Sequence, residues 1–322
     1  MSLSDFISIR DLSVEQIELL LDLACHVKAD PAAYAGALKG KTLAMIFEKP
    51  SLRTRVTFDV GMEQLGGHSL CLSPDEIRLG RRESVQDVAK NLERMVQAIM
   101  IRTFAHEIVV EMAEHAAIPV INGLTDFSHP CQALADYLTM LEIKGRVTGL
   151  KLAFVGDGNN VAHSLMFAGA LLGAHVHVAT PAGYEPDRAA LLWAIRHSVV
   201  AGGSCVASND PVRAVTDADV VYTDVWASMG QEAEKEKRSR SFAAYQVNAG
   251  LFACAKPDAI FMHCLPAHRG EEVAADVIDS PRSVVFQQAE NRLHAQKAVL
   301  LELLKEGVTE PQHVVRHELM PL

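Results

Sequence analysis

Short, continuous apolar runs, separated by stretches with a helical repeat, constrain this chain most. The runs are TLAMIF (42–47), SLCLS (69–73), AIMIR (98–102) and PVIN (119–122). They resume with KLAFVG (151–156), HVHVAT (175–180), VVYTD (220–224), IFMHCL (260–265) and VVFQ (284–287). Between them Val85, Val88, Ala89, Leu92, Met95 and Val96 recur at helical spacing, and HPCQALADYLTMLEIKG reads as one helix that stops at Gly145. VAHSLMFAGALLG and DRAALLWAIRH are further helices. Apolar strands alternating with helices imply an α/β protein whose parallel sheets are covered on both faces. A chain of 322 residues holds about two domains at roughly 150 residues each. The first strand series ends near residue 122, and GRVTGLKLAFVGDG opens a second. The expectation is two domains, 1–142 and 143–295, each a parallel sheet flanked by helices and linked by long helices. A C-terminal helix within 296–322 is expected to return to the first domain.

Composition narrows the function. A formal net charge of −10 argues against a nucleic-acid binder, whose footprint is a basic field. No apolar run approaches the ~20 residues of a membrane span, and the start, MSLSDFISIRDLSVEQ, lacks a signal-peptide pattern. The expectation is a cytoplasmic protein with no membrane and no nucleic-acid partner. The six cysteines are scattered without a CxxC pair, and the fourteen histidines form no HExxH pattern. Reduced thiols and no structural metal are expected.

FEKPSLRTRVTFDVG places Ser51, Arg53, Thr54 and Arg55 where a strand gives way to a helix. Ligands of open parallel sheets bind beyond the strands' carboxyl ends. A helix N-terminus there offers unpaired N–H groups and partial positive charge to an anion. Two arginines and two hydroxyls fit a phosphate, although Ser51 alone could simply cap the helix. The absence of a Gly-Lys pattern excludes a Walker loop. Arg102 ends another strand, and His129 and Gln132 stand three apart at a helix start. In the second half, Gly156 and Gly158 invite a dinucleotide reading that fails at Val161. Asn159 and Asn160 can instead meet a polar ligand. Asp224, Ser228 and Met229 follow one strand, Cys264 and Leu265 another, and Arg292 lies at a helix start.

These pieces resemble the ornithine carbamoyltransferases of the aspartate/ornithine carbamoyltransferase family. The resemblance covers nearly the whole chain: FEKPSLRTRVTF, IMIRT, DFSHPCQALADY, FVGDGNNVAHSLM, DVWASMGQE, FMHCLPAHRGEEV and AENRLHAQKAV occur in family order. It implies transfer of a carbamoyl group from carbamoyl phosphate to L-ornithine, giving L-citrulline and phosphate in arginine metabolism, with no cofactor. It implies that Ser51, Leu52, Arg53, Thr54 and Arg102 hold the phosphate, and that Arg102, His129, Gln132, Cys264, Leu265 and Arg292 surround the carbamoyl group. Asn160, Asp224, Ser228 and Met229 would bind ornithine. Arg102, His129, Cys264 and Asp224 would carry the chemistry. Trimers or multiples of trimers with shared sites are implied.

Two positions depart from the family pattern. Leu52 stands where the family usually has threonine, and Arg78 where it commonly has glutamine, in a loop that reaches the neighbouring subunit's phosphate site. Arg78 could restore positive contact in trans; otherwise it is a solvated loop arginine. Leucine at position 52 also occurs in acylornithine relatives, so a carbamoyltransferase acting on putrescine or an N-acylated ornithine is the rival, alongside a silent carbamoyl-phosphate-binding relative. A cysteine hydrolase using Cys264 with His263 or His268 is a further rival. Residues 228–240 read as a charged, mobile lid with Gly230 as a hinge.

Overall fold

A computed structural model describes residues 3–73, 77, 79–80, 82–227, 230 and 232–304. In chain order the elements are α1 (Val14–Ala29), β1 (Thr42–Phe47), α2 (Leu52–Gln64), β2 (His68–Leu72), α3 (Val85–Leu92), β3 (Ala98–Arg102), α4 (His106–His115), β4 (Val120–Leu124) and α5 (Pro130–Lys144). There follow β5 (Lys151–Val155), α6 (Asn160–Leu172), β6 (His175–Ala179), α7 (Arg188–Val200), β7 (Ser204–Ser208), α8 (Pro211–Val215) and β8 (Val220–Thr223). The chain then forms α9 (Lys235–Phe242), α10 (Ala249–Phe252), β9 (Ile260–His263), α11 (Ala275–Ile278) and α12 (Val285–Leu304).

The strands form two parallel sheets, of order β2-β1-β3-β4 and β7-β6-β5-β8-β9. Each order reverses direction once, between β1 and β3 and between β5 and β8, which opens a crevice at the carboxyl ends of those strands. Register brings the residues there together. Phe47 at the end of β1 lies opposite Arg102 at the end of β3, so the start of α2 and Arg102 share one crevice. Tyr222 of β8 pairs with Phe154 of β5, which sets Asn159 and Asp224 across the other.

The local signals act as their chemistry requires. Ser13 and Gln16 close a capping box on α1. Pro130 opens α5, and Gly145 ends it in the left-handed region at φ 70°. Asn159 caps α6 by accepting from the N–H groups of Val161 and Ala162. One expectation fails, and one strand is unanticipated. VVFQ is not a strand: Val285 is buried while Phe286 is 77% exposed, and the segment is the first turn of α12. Its apolar run is too short to reveal period on its own. The edge strand β7, SCVAS, escapes pattern reading because one side faces solvent and its alternation is mixed.

One apolar cluster runs from Phe6, Met45 and Phe58 beneath the first sheet, through Leu134 and Leu138 of α5 and Leu300 of α12, to Phe154 and Val176 beneath the second. Separate clusters cover the outer faces of the two sheets. α12 packs on α1, α2 and α5. Residues 305–322, part of the expected terminal helix, lie outside the described residues.

Gly158 owes its identity to packing. A Cβ there would lie 2.2 Å from the Pro186 nitrogen and 2.5 Å from the Glu185 carbonyl carbon, both backbone atoms that cannot swing aside. Gly158→Ala is therefore expected to cost about 1–3 kcal/mol, read as a fall in thermal midpoint of several degrees; an unchanged midpoint would disprove the close approach.

Candidate active site

Two arginines converge on Thr54, and a third, Arg53, precedes it in the chain. Thr54 lies in the first turn of α2, fully buried, and its Oγ1 accepts from Arg292 Nη2 at 2.8 Å and from Arg102 Nη1 at 3.5 Å. Arg53, one residue earlier, donates to the carbonyl of Leu265 in the second domain. Among the described residues none of these guanidinium groups forms an ion pair with a carboxylate. Burial, together with Arg292 and Arg53, pushes Arg102 down to about 10, and burial lowers Arg292 as well. Both stay cationic at neutral pH. Arg102 Nε and Arg292 Nε are buried without a hydrogen-bond partner. An anion with several oxygens satisfies such a set, and bidentate recognition is what guanidinium does best.

Ser51 caps α2, its Oγ accepting from the Thr54 N–H at 3.2 Å. This is the bland role open to it, and its own O–H still has a proton to donate. Leu52 directs a 73% exposed side chain outward, leaving its backbone N–H in the unpaired first turn. Arg55 is exposed.

α5 supplies the next layer. His129, its N-cap, is buried with Nδ1 unpartnered. Burial and the Arg292, Arg102 and Arg53 charges hold its pKa well below the usual histidine range, so it is a neutral imidazole. Gln132 Oε1 accepts from Arg292 Nη1 at 2.8 Å, while its Nε2 donates to Asp136 Oδ1 at 2.8 Å. Asp136 is fully buried and pushed up to about 7 by desolvation, against the lowering effect of its donors Gln132, Gln288 and Tyr222.

The second crevice holds the complementary charge. Asp224 Oδ1 accepts from Cys264 Sγ at 2.9 Å and from the Val225 N–H, and its Oδ2 from Asn159 Nδ2 at 2.8 Å. Burial and Asp224 push the Cys264 thiol well above its ordinary value. The Leu265 N–H donates to His263 Nδ1, and Leu265 sits at φ 57° before a cis peptide to Pro266. That left-handed residue turns its carbonyl toward Arg53. The domains also meet through Asn160 Nδ2, which donates to the Thr125 carbonyl at 2.5 Å, and Ser164 Oγ, which accepts from the His129 N–H.

Hydrogen bonds thus join Thr54, Arg102, Gln132 and Arg292 at one face, Arg53 with Leu265 beside them, and Asp224 with Cys264 at the other. Asn160 spends its amide nitrogen on the other domain. Arg78, Ser228 and Met229 lie outside the described residues. The expected lid is anchored at its far end: Arg238 of α9 is buried, pairs with Asp157 at 2.8 Å and donates to the Trp226 carbonyl at 3.0 Å.

Residues 4–142 match the family described as aspartate/ornithine carbamoyltransferase, carbamoyl-P binding domain, and residues 148–303 match its Asp/Orn binding domain. The chain belongs to the aspartate/ornithine carbamoyltransferase family. It is 59% identical to the ornithine carbamoyltransferase of Thermococcus kodakarensis over 92% of this chain and 95% of that one. The solved ornithine carbamoyltransferase of Pyrococcus furiosus superposes with a TM-score of 0.92 at 56% identity, covering 96% of this chain and all of that one. An acetylornithine transcarbamylase complexed with acetylcitrulline superposes at 0.85 but is 30% identical, over 94% and 99% of the two chains.

In this carbamoyltransferase, sequence reasoning missed Asp136, Tyr222 and Gln288. Asp136 lies four residues after Gln132 on the same helical face, a legible pairing. Tyr222 and Gln288 reach it from residues 86 and 152 positions away, which no local pattern reveals. The raised Cys264 pKa also argues against the cysteine-hydrolase rival, because the thiolate is the nucleophile. At about pH 8, iodoacetamide should modify Cys264 at least ~10-fold more slowly than an ordinary free thiol, as followed by peptide mass spectrometry. Rapid modification would disprove the thiol assignment.

Proposed function

We propose that this chain transfers the carbamoyl group of carbamoyl phosphate to the side-chain amine of L-ornithine, giving L-citrulline and phosphate. The observation that carries this reading is the convergence of Arg102 and Arg292 on Thr54, with the neighbouring Arg53 bonded to the Leu265 carbonyl, facing the Asp224–Cys264 pair across two sheets' switch points.

The amine lone pair attacks the carbamoyl carbon, the C–O bond to phosphorus breaks, and phosphate departs with the electron pair. Negative charge develops first on the carbamoyl oxygen, where preorganised donors lower the barrier. Arg102, neutral His129 and the Thr54 hydroxyl serve there. The leaving phosphate remains on Ser51, the Leu52 N–H, Arg53, Thr54 and Arg102. Gln132, Arg292 and the backbone at Cys264–Leu265 orient the carbamoyl group. A free alkyl amine has a pKa near 10, so only about one in a thousand is neutral at neutral pH. Asp224, fixed by the Cys264 thiol, positions the incoming ammonium group and relays its first proton to solvent, leaving the neutral amine that attacks; the proton that nitrogen sheds once the C–N bond has formed goes to the departing phosphate. Asn160, Ser228 and Met229 complete acceptor binding. Cofactor-free chemistry, a cytoplasmic setting, an arginine-biosynthetic role and a homotrimer, or a multiple of one, with shared sites belong to the same reading. So do domains of 1–142 and 143–295. No described helix is long and apolar enough to cross a membrane.

The far higher identity to ornithine than to acetylornithine carbamoyltransferases favours L-ornithine as acceptor. The test is citrulline formation with L-ornithine, N-acetyl-L-ornithine and putrescine in parallel. Strong preference for L-ornithine is expected, and preference for either alternative would overturn the acceptor assignment. Carbamoyl phosphate binding without transfer to any acceptor would mark a silent relative. The two departures give a second expectation. Leu52→Thr adds a hydroxyl worth about 1 kcal/mol and should lower the KM for carbamoyl phosphate by about 5-fold, whereas Arg78→Gln should raise it. Unchanged KM values would remove both residues from the phosphate site.

A further inference from the structure

The buried carboxylate of Asp136 bonds Gln132 of the proposed carbamoyl site and is bonded in turn by Tyr222 from the acceptor domain. Its Oδ1 accepts from Gln132 Nε2 at 2.8 Å and from Gln288 Nε2 at 2.7 Å, and its Oδ2 accepts from the Tyr222 hydroxyl at 3.1 Å. These donors come from three elements: α5 of the first domain, the connecting helix α12 and β8 of the second domain. The links continue outward. Gln132 Oε1 holds Arg292, which holds Thr54. Gln288 Oε1 accepts from the His263 N–H at 2.9 Å, immediately before Cys264.

We propose that Asp136 is a positioning residue for carbamoyl transfer: it fixes Gln132 and Arg292 on the carbamoyl phosphate side and is gripped in turn by Tyr222 and Gln288 from the acceptor side. The physical reason is amide orientation. Gln132 can turn either its oxygen or its nitrogen toward Arg292, and only the oxygen can accept from a guanidinium. A charged acceptor at Asp136 captures the Gln132 nitrogen and forces the oxygen toward Arg292. Charge-assisted bonds of this kind are roughly twice as strong as neutral ones. A neutral carboxyl grips Gln132 more weakly and withdraws the negative charge nearest the buried Arg292.

The arrangement is sensitive to pH near neutrality, because Asp136 titrates at about 7. The titratable or charged groups facing it are Tyr137 on its own helix, Tyr222 on β8, Arg292 on α12 and Cys264 after β9. Burial raises the two phenols and the thiol well above their ordinary values, and Arg292 remains cationic. Within this group only Asp136 changes charge between about pH 6 and about pH 8. Its protonation as pH falls loosens the hold on Gln132 and Arg292. The hydroxyl of Tyr222 lowers the Asp136 pKa, so removing that hydroxyl must raise it.

The inference rests on the proposed carbamoyl transfer, and the test separates the two. kcat and KM for carbamoyl phosphate are measured from about pH 6 to about pH 8 at saturating L-ornithine for the wild-type chain, Asp136→Asn and Tyr222→Phe. Asp136→Asn is expected to lose about 10- to 100-fold in kcat/KM at pH 8 and to lack the acid limb that Asp136 contributes. Tyr222→Phe should lose less and should move that limb to higher pH, a shift that a merely structural role does not produce. Ionisation of carbamoyl phosphate itself is common to all three proteins and cancels in the comparison. An Asp136→Asn protein with the wild-type pH profile, or a Tyr222→Phe limb that stays in place, overturns the proposal. If Asp136→Asn does not fold, Tyr222→Phe alone decides it. A folded wild-type chain that makes no citrulline overturns the carbamoyl-transfer reading instead.

Discussion

The structure depends on keeping buried guanidinium groups close together without neutralising them. Arg102 and Arg292 both bond Thr54, and Arg53 is near enough to lower the pKa of the other two. Two cations in so dry a place repel each other and have lost hydration, a cost of several kcal/mol per ion before compensation. A carboxylate in direct contact would relieve the strain but would also occupy the phosphate's place. The fold instead puts the compensating carboxyl two hydrogen bonds away, at Asp136 beyond Gln132, and uses neutral oxygens of Thr54, Gln132 and Leu265 as the immediate acceptors. The site keeps a net attraction for an anion, and the arginines remain oriented.

That requirement explains the polar side chains that α5 and α12 bury against each other. Both helices carry continuous core residues that join the two sheets. Along one seam, however, Gln132, Asp136, Thr139, Gln288, Asn291 and Arg292 bury polar groups that satisfy one another across the gap. Apolar burial stabilises the pairing of the helices by about 25 cal/mol per Å², and the polar seam fixes their relative position, since a shift along the axis would leave several donors unpaired at about 1–3 kcal/mol each.

The same cationic field sets the state of the neighbouring groups. Burial and this field together keep His129 neutral, so this residue can donate a hydrogen bond without adding another charge. Across the site the field is reversed: Asp224 gathers donors from Cys264, Asn159 and its own backbone, and the thiol stays protonated. An anion-attracting face and a cation-attracting face thus oppose each other where the domains meet, which suits one anionic and one cationic substrate.

The sequence by itself determined the α/β class, the alternation of strands and helices, the end of α5 at Gly145 and the phosphate-like character of SLRTR. Those properties depend on residues within a few positions of one another, where periodicity and capping chemistry act directly. It could not separate the first turn of α12 from a strand at VVFQ, because a four-residue apolar run has no measurable period. It did not reveal that Asn160 would be committed to Thr125, that Leu265 would turn its carbonyl to Arg53, or that Tyr222 and Gln288 would meet Asp136. Each of those contacts joins positions far apart in the chain, and they coexist only because strand register and the packing of α12 on α5 bring the carboxyl ends of both sheets together. The residue types came from the sequence; their charge states and mutual orientation came from burial, which only the tertiary structure supplies.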